Sequence, residues 1–450
     1  MKTFKLTPSV ALTFLALLLT FHSCQPDEVQ TIDEHKNTKD YSGQVAIDWL
    51  EQSIVLTKTT NGYAPPVAAR TYGYLGLALY ESVVDGMPRF NSLSGQLNGY
   101  TRTVQIETGK TYYWPACANS ALAYMTKQMY EQASAENLDL ITQKEQSNND
   151  QFASKTDAET LQRSIAFGKA VAEEIYEWSK SDGGHQAYLN LLPSDYQIPV
   201  GEGYWVPTPP AFKRPLLPYW GDVRSFVPNN IALSQPIHHA QYSIDPSSAF
   251  YSQGYEVYYT VNHLTPEQLK IAKYWSDDPV VTATPPGHSV SIMNQILNQK
   301  DASLEFAAHA YVKLGMAVAD AFVSCWKCKY DFNLMRPITY IQQHIDPNWN
   351  SILTTPNFPE YTSGHSVQSG ASMVILSNLF GNNFAFVDST NVSRTDIDGT
   401  PRHYSSFEAA AQEAAISRLY GGIHYSDAIV LGIDQGKKIG VGVLKLDFYK

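Results

Sequence analysis

Cysteine is scarce. Four thiols in 450 residues exclude a disulfide-stapled scaffold. Cys24 and Cys117 stand alone, while Cys325 and Cys328 lie three apart at the end of a helical stretch, without further Cys or His at zinc-ligand spacing. They read as buried thiols. Basic charge is in deficit too: 32 Lys and Arg face 43 Asp and Glu, for a net charge of −11. With no basic patch, this argues against a nucleic-acid partner. No apolar run after residue 21 reaches the length of a membrane span, so membrane contact is expected only through a lipid anchor. Strand signals are few, and no internal repeat is present.

Lys2 and Lys5 precede an apolar run over 10–21 that closes on Ser23-Cys24. The pattern is that of a lipoprotein-type signal, 1–24, with Cys24 lipidated after cleavage and an exported, periplasmic or cell-surface location. Residues 25–41 are polar and acidic, as in a flexible tether. Beyond them, apolar residues recur at helical spacing over 46–58, 67–84, 118–134, 157–181, 266–275, 290–297, 303–329, 366–380 and 426–444. Ser405-Ser406-Phe407-Glu408 opens a further helix with a capping-box pattern, and Gly421-Gly422 ends it. Between 192 and 236 proline and aromatics crowd together, which forbids regular helix and suits a covering loop or connector. The expected fold class is all-α, in two helical bundles (42–236 and 237–450) joined by this Pro/aromatic-rich loop region, the second carrying the site.

Three stretches of the second half concentrate chemistry. Lys329 and Arg336 are separated by six residues, and Pro337 disfavours helix at Arg336, so the guanidinium is expected at the turn that ends a helix. A point charge and a planar fork of donors together suit a tetrahedral oxyanion. Ser363-Gly364-His365 stands before the helix of 366–380, with Thr362 or Ser363 at its N-cap. Free backbone N–H groups, a glycine that allows close approach and an imidazole meet there. Arg418 and His424 flank Gly421-Gly422, and a break at the glycines lets both turn toward one ligand. Taken singly, each stretch has a structural reading: a cationic helix end, a cap, a packed turn histidine.

In this order the three stretches resemble the three-part signature of the vanadium-dependent haloperoxidase and type 2 phosphatidic acid phosphatase superfamily: Lys-x6-Arg-Pro, Pro-Ser-Gly-His and Ser-Arg-x5-His. Arg70-Thr71-Tyr72, Trp205-Val206-Pro207-Thr208-Pro209-Pro210, Thr284-Pro285-Pro286-Gly287-His288 and Gly421-Gly422-Ile423-His424-Tyr425 look like the secreted bacterial haloperoxidase branch, most of all the iodoperoxidase type. The resemblance implies vanadate as cofactor, with His424 as the metal ligand, and Lys329, Arg336, Ser363, Gly364 and Arg418 holding its oxygens. It implies His365 as acid–base group, and Lys329 and His424 among the catalytic residues. The implied reaction is oxidation of a halide, iodide first, by hydrogen peroxide to hypohalous acid, with organic molecules as further acceptors. The alternative within the superfamily is an acid phosphatase with His424 as nucleophile. A more distant one is a glycan-binding surface lipoprotein, given 29 Tyr and 8 Trp. Thr362 stands where the signature has Pro. Ala428 stands where members often have an Asp four residues after the last His, which leaves Asp427 as the candidate to orient His424. Trp326 and Phe358 flank the site in sequence. His288, in a second Gly-His-Ser, is expected in a packing or supporting role.

Overall fold

Serine, threonine and aspartate at helix starts, proline in first turns and glycine after last turns punctuate the chain into helices. The computed structural model describes residues 36–450; the signal-like segment, Cys24 and most of the tether lie outside the described residues. The first helices are α1 Gln44–Thr59, α2 Pro65–Val83, α3 Trp114–Met129, α4 Ala135–Phe152 and α5 Ala158–Ser179. After the proline-rich region come α6 Asn230–Ser234, α7 Ala249–Asn262, α8 Pro266–Tyr274, α9 Thr284–Gln299, α10 Leu304–Phe332, α11 Pro337–His344 and α12 Gly364–Phe380. A short antiparallel hairpin, β1 Phe386–Asp388 and β2 Arg402–Tyr404, pairs Phe386 with Tyr404. Helices α13 Phe407–Tyr420 and α14 Ser426–Leu444 complete the chain. The all-α expectation holds, with this hairpin as the sole sheet among the described residues.

Helix starts follow the expected chemistry. The hydroxyls of Ser303, Ser363 and Ser406 and the carboxylate of Asp157 accept backbone N–H bonds at the N-caps of α10, α12, α13 and α5, each satisfying a donor that the helix leaves unpaired. Pro337 occupies the first turn of α11, where its missing N–H costs nothing. Arg336, four residues past the end of α10, is therefore the N-cap of a new helix. Helices α4 and α7 were not anticipated. In α4 only Ile141 and Phe152 are buried, too few apolar positions to set a period. Helix α9 begins at Thr284, so His288 sits inside it and not before it.

The core is built on α10. This 29-residue helix is apolar and long enough to cross a membrane by length and composition, against the expectation of no such run after the leader. Yet 94 % of its most apolar window is buried inside the protein. Against it lies α2, with glycines at the crossing: a Cβ on Gly76 would come within 2.6 Å of the Tyr311 carbonyl, and one on Gly315 within 2.5 Å of the Tyr72 carbonyl. Backbones this close leave no room for a side chain. Helices on both sides of residue 236 thus share one core, and the described residues, 36–450, form one compact unit. Helices α12 and α14 also pack on α10. The proline-rich region is ordered over the other end: the Trp205 N–H donates to the Asn333 carbonyl at 2.6 Å and the Leu216 N–H to the Asn357 carbonyl at 2.9 Å.

Candidate active site: an oxyanion cradle at five helix ends

The C-terminal ends of α10 and α13 and the N-terminal ends of α11, α12 and α14 meet at one place. They deliver Lys329, Arg418, Arg336, Ser363 to His365, and His424 respectively. A cavity of about 540 Å³ opens above them, walled by Phe322, Trp326 and Phe358 and floored by Gly364, His365, Arg418 and His424. Thr208 to Ala211 and Lys213, from the proline-rich region, line its mouth.

Arg336 is fully buried. Its Nε donates to the Phe358 carbonyl (2.9 Å), its Nη1 donates to the Ile423 carbonyl (2.8 Å) and lies 3.2 Å from His424 Nε2. Its Nη2 has no protein partner. A buried guanidinium with a free N–H is costly unless an anion completes it. Arg418, at the end of α13, donates from Nε to Ser417 Oγ (2.9 Å) and from Nη2 to the carbonyls of Ala272 (3.2 Å) and Trp275 (2.7 Å). Burial pushes both guanidinium groups down to about 10, so both remain charged near neutrality.

Ser363 is the N-cap of α12; its Oγ accepts the Ser366 N–H at 3.3 Å. Gly364 follows as the first helical residue, where the dipole and unpaired N–H groups favour negative charge. A Cβ there would be in ordinary contact with the Phe322 and Trp326 rings at 3.8 Å, and the residue lines the cavity. His365 leaves Nε2 buried and unpaired. Burial, then the charge of Arg418, holds this imidazole well below its ordinary value, so it is a neutral ring at pH 7.

His424 shows how the site is tuned. Gly422 takes a left-handed turn (φ 76°) after α13, which swings His424 back toward Arg418. Nδ1 lies 2.7 Å from Glu360 Oε1, and burial followed by the charges of Arg336, Lys329 and Arg418 drives its pKa well below normal. A neutral ring donating from Nδ1 to a carboxylate keeps a lone pair on Nε2, the atom that lies 3.2 Å from Arg336 Nη1. Glu360 also accepts the Tyr425 N–H at 3.0 Å, while burial lifts its own pKa to about 7.

Two site expectations change. Lys329 does not point a free ammonium into the cavity: Nζ donates to the carbonyls of Pro359 (3.1 Å), Glu360 (3.0 Å) and Thr362. It fastens the loop that presents Glu360 and Ser363, and burial pushes it down to about 8. Asp427 does not orient His424; it accepts from the Ala240 N–H (2.8 Å) and Gln253 Nε2 (2.9 Å). That work falls to Glu360, three residues before Ser363. The available signal was an acidic side chain inside an otherwise uncharged cap motif. Thr362 supplies what the signature's proline lacks, a hydroxyl that donates to Gln435 Oε1 at 2.6 Å. Trp326 and Phe358 do border the cavity, and Cys325 and Cys328 are free and buried. His424, Arg336, Arg418, His365, Ser363, Gly364 and Lys329 thus form one cluster.

A helical scaffold that gathers buried cations, a helix N-terminus and a lone-pair imidazole beside one cavity defines a class of protein whose site suits an oxyanion. Comparison with known proteins narrows this. The chain is similar to the crystal structure described as the first bacterial vanadium-dependent iodoperoxidase, with a TM-score of 0.82 and 36% identity over 91% of this chain and 98% of that one. The chain belongs to the vanadium-dependent haloperoxidase family. Residues 309–447 match the family model described as the VCPO second helical-bundle domain. Vanadium chloroperoxidase of Curvularia inaequalis is 25% identical over 223 residues, 36% of each chain. Vanadium-dependent bromoperoxidase of Corallina officinalis is 29% identical over 98 residues, 20% of this chain and 16% of that protein. The chain thus matches about a third and a sixth of the length of these two curated relatives. A bacterial vanadium-dependent chloroperoxidase shares the fold, with a TM-score of 0.62 at 14% identity.

Proposed function

We propose that this chain is a vanadium-dependent haloperoxidase that oxidises halide, iodide first, with hydrogen peroxide to hypohalous acid. The observation that carries the reading is His424: a neutral imidazole, held at Nδ1 by Glu360 so that Nε2 keeps its lone pair, in a residue that lines one cavity with Arg418 and His365. The donor set fits vanadate. Arg336 Nη2 and His365 Nε2 are buried without partners, and the Gly364 end of α12 offers backbone N–H groups, so an oxyanion would complete polar atoms the protein leaves unsatisfied.

His424 Nε2 would bind vanadium. Arg336, Arg418, the Ser363 hydroxyl and the Gly364 N–H would hold its oxygens, with Lys329 fixing the loop beneath. So held, vanadate would supply Lewis acidity toward peroxide, with no change in its oxidation state. The protein supplies fixed positive charge from buried Arg336 and Arg418, so negative charge leaving the halide would meet an organised field. His365, neutral and within the charge field of Arg418, takes a proton from the incoming peroxide and returns it to the departing oxygen. Aromatic walls of Phe322, Trp326 and Phe358 suit a large, weakly hydrated halide, which supports iodide. Reconstitution with orthovanadate, followed by peroxide-dependent triiodide formation, tests the reading; equal activity without vanadate, or none with it, overturns it. Release of phosphate from a small ester by the vanadate-free protein would instead support the acid phosphatase reading, in which the same lone pair attacks phosphorus. The basic–apolar–cysteine pattern of residues 1–24 supports export with lipid attached at Cys24, and mass spectrometry of that cysteine tests it.

A further inference from the structure

His288 belongs to a charged cluster that the reaction above does not use. It lies one turn into α9, 2 % exposed, with Nδ1 at 2.9 and 3.1 Å from the two Asp277 carboxylate oxygens and Nε2 at 2.8 Å from Asp388 Oδ2. A neutral imidazole donates from one nitrogen only. Carboxylates against both nitrogens suit the imidazolium, which donates to each. The ring stacks on Trp275 (4.5 Å between centroids, 18° between planes), whose backbone carbonyl accepts from Arg418. Asp388 has other donors, the Tyr274 hydroxyl at 2.9 Å and the Thr390 N–H at 2.9 Å.

Asp277 and Asp278 both line the cavity with Arg418, close enough for their charges to act on the guanidinium, and of the two Asp277 is the one that His288 holds. Even so, the hydrogen bonds that Arg418 makes among the described residues go to a hydroxyl and two carbonyls, all uncharged. Asp277 is instead turned to His288. From the interior to the cavity the order of charges is thus Asp388, His288, Asp277, Arg418, and only the last two line the cavity.

We propose that His288 is a positioning residue that sets the anion affinity of the cavity: by pairing with Asp277 it keeps that carboxylate from neutralising Arg418. The proposal rests on the oxyanion reading of the site. Without the imidazolium, Asp277 turns to the nearest cation and competes with the incoming oxyanion for it.

The test is calorimetric titration of the full chain with orthovanadate and, separately, inorganic phosphate. His288→Gln, which keeps size and polarity but not charge, is expected to bind both about tenfold more weakly, the scale of one partly screened ion pair. His288→Gln with Asp277→Asn is expected to recover to within about threefold of wild type, because the competing carboxylate is gone. A merely structural histidine gives a double variant no better than the single one, and that result overturns the proposal. Should His288→Gln fail to fold, Asp277→Asn alone decides: unchanged or tighter binding supports the proposal, and clearly weaker binding overturns it. If wild type binds both anions and His288→Gln matches it, this inference alone falls; if wild type binds neither, the oxyanion reading falls and takes it along.

Discussion

Replacing Glu360 with alanine is the sharpest perturbation of the site. The carboxylate accepts from His424 Nδ1 at 2.7 Å and from the Tyr425 N–H at 3.0 Å, and it is fully buried. A hydrogen bond to a charged partner contributes about 1.5–3 kcal/mol. Without it the imidazole is free to shift its proton to Nε2, which removes the lone pair from that atom. The same change leaves the nearby cations Arg336 and Lys329 without their buried counter-charge. Since 1.4 kcal/mol is a factor of ten, orthovanadate affinity is expected to fall about 10- to 100-fold, in the range found when a group supporting a metal-bound histidine is removed. Calorimetry gives the affinity directly. The vanadate-induced rise in melting temperature, which follows the logarithm of ligand concentration over Kd, gives it independently. Asp427→Asn is the control: its carboxylate serves Ala240 and Gln253, so affinity should stay within about twofold of wild type. Wild-type affinity in Glu360→Ala, or a large loss in Asp427→Asn, would refute the reasoning that Glu360 fixes the imidazole.

Three further outcomes follow from particular contacts. Arg418→Ala removes a buried guanidinium from the cavity floor and should weaken orthovanadate binding at least about 30-fold, read by the same titration. The folded pKa of His288 is raised to about 10 by Asp277 and Asp388 despite burial; a histidine raised in the folded state contributes stability that is full below about 6.5 and lost as pH rises through the folded value. Denaturant unfolding should therefore show the stability gap between wild type and His288→Gln closing from pH 7 to pH 10. Gly436→Ala in α14 would place a Cβ 1.9 Å from the Val367 carbonyl of α12. Overpacking of that kind should destabilise by about 3 kcal/mol, measured by the denaturation midpoint.

Much of the architecture was legible in residue types alone. Helical period, proline in first turns and hydroxyls at N-caps foretold α2, α10, α12 and α14, and the ordered triplet of Lys/Arg, Ser-Gly-His and Arg/His stretches marked the site. Period reports one-sided burial and nothing else. It therefore passed over α4, which is nearly all polar, and placed the start of α9 too late. It was equally silent on whether the apolar α10 faces lipid or protein; packing against α2, α12 and α14 decided that.

The chemistry divides in the same way. The chain alone determined which side chains carry charge and lone pairs, because these are properties of the residues and of local helix ends. Only the tertiary structure decided their partners. Glu360 reaches His424 across 64 positions and His288 reaches Asp388 across 100, while the Lys329 ammonium spends its donors on backbone carbonyls. Hydrogen bonding and burial act over a few ångströms of space, and separation along the chain says nothing of that distance until the helices have packed.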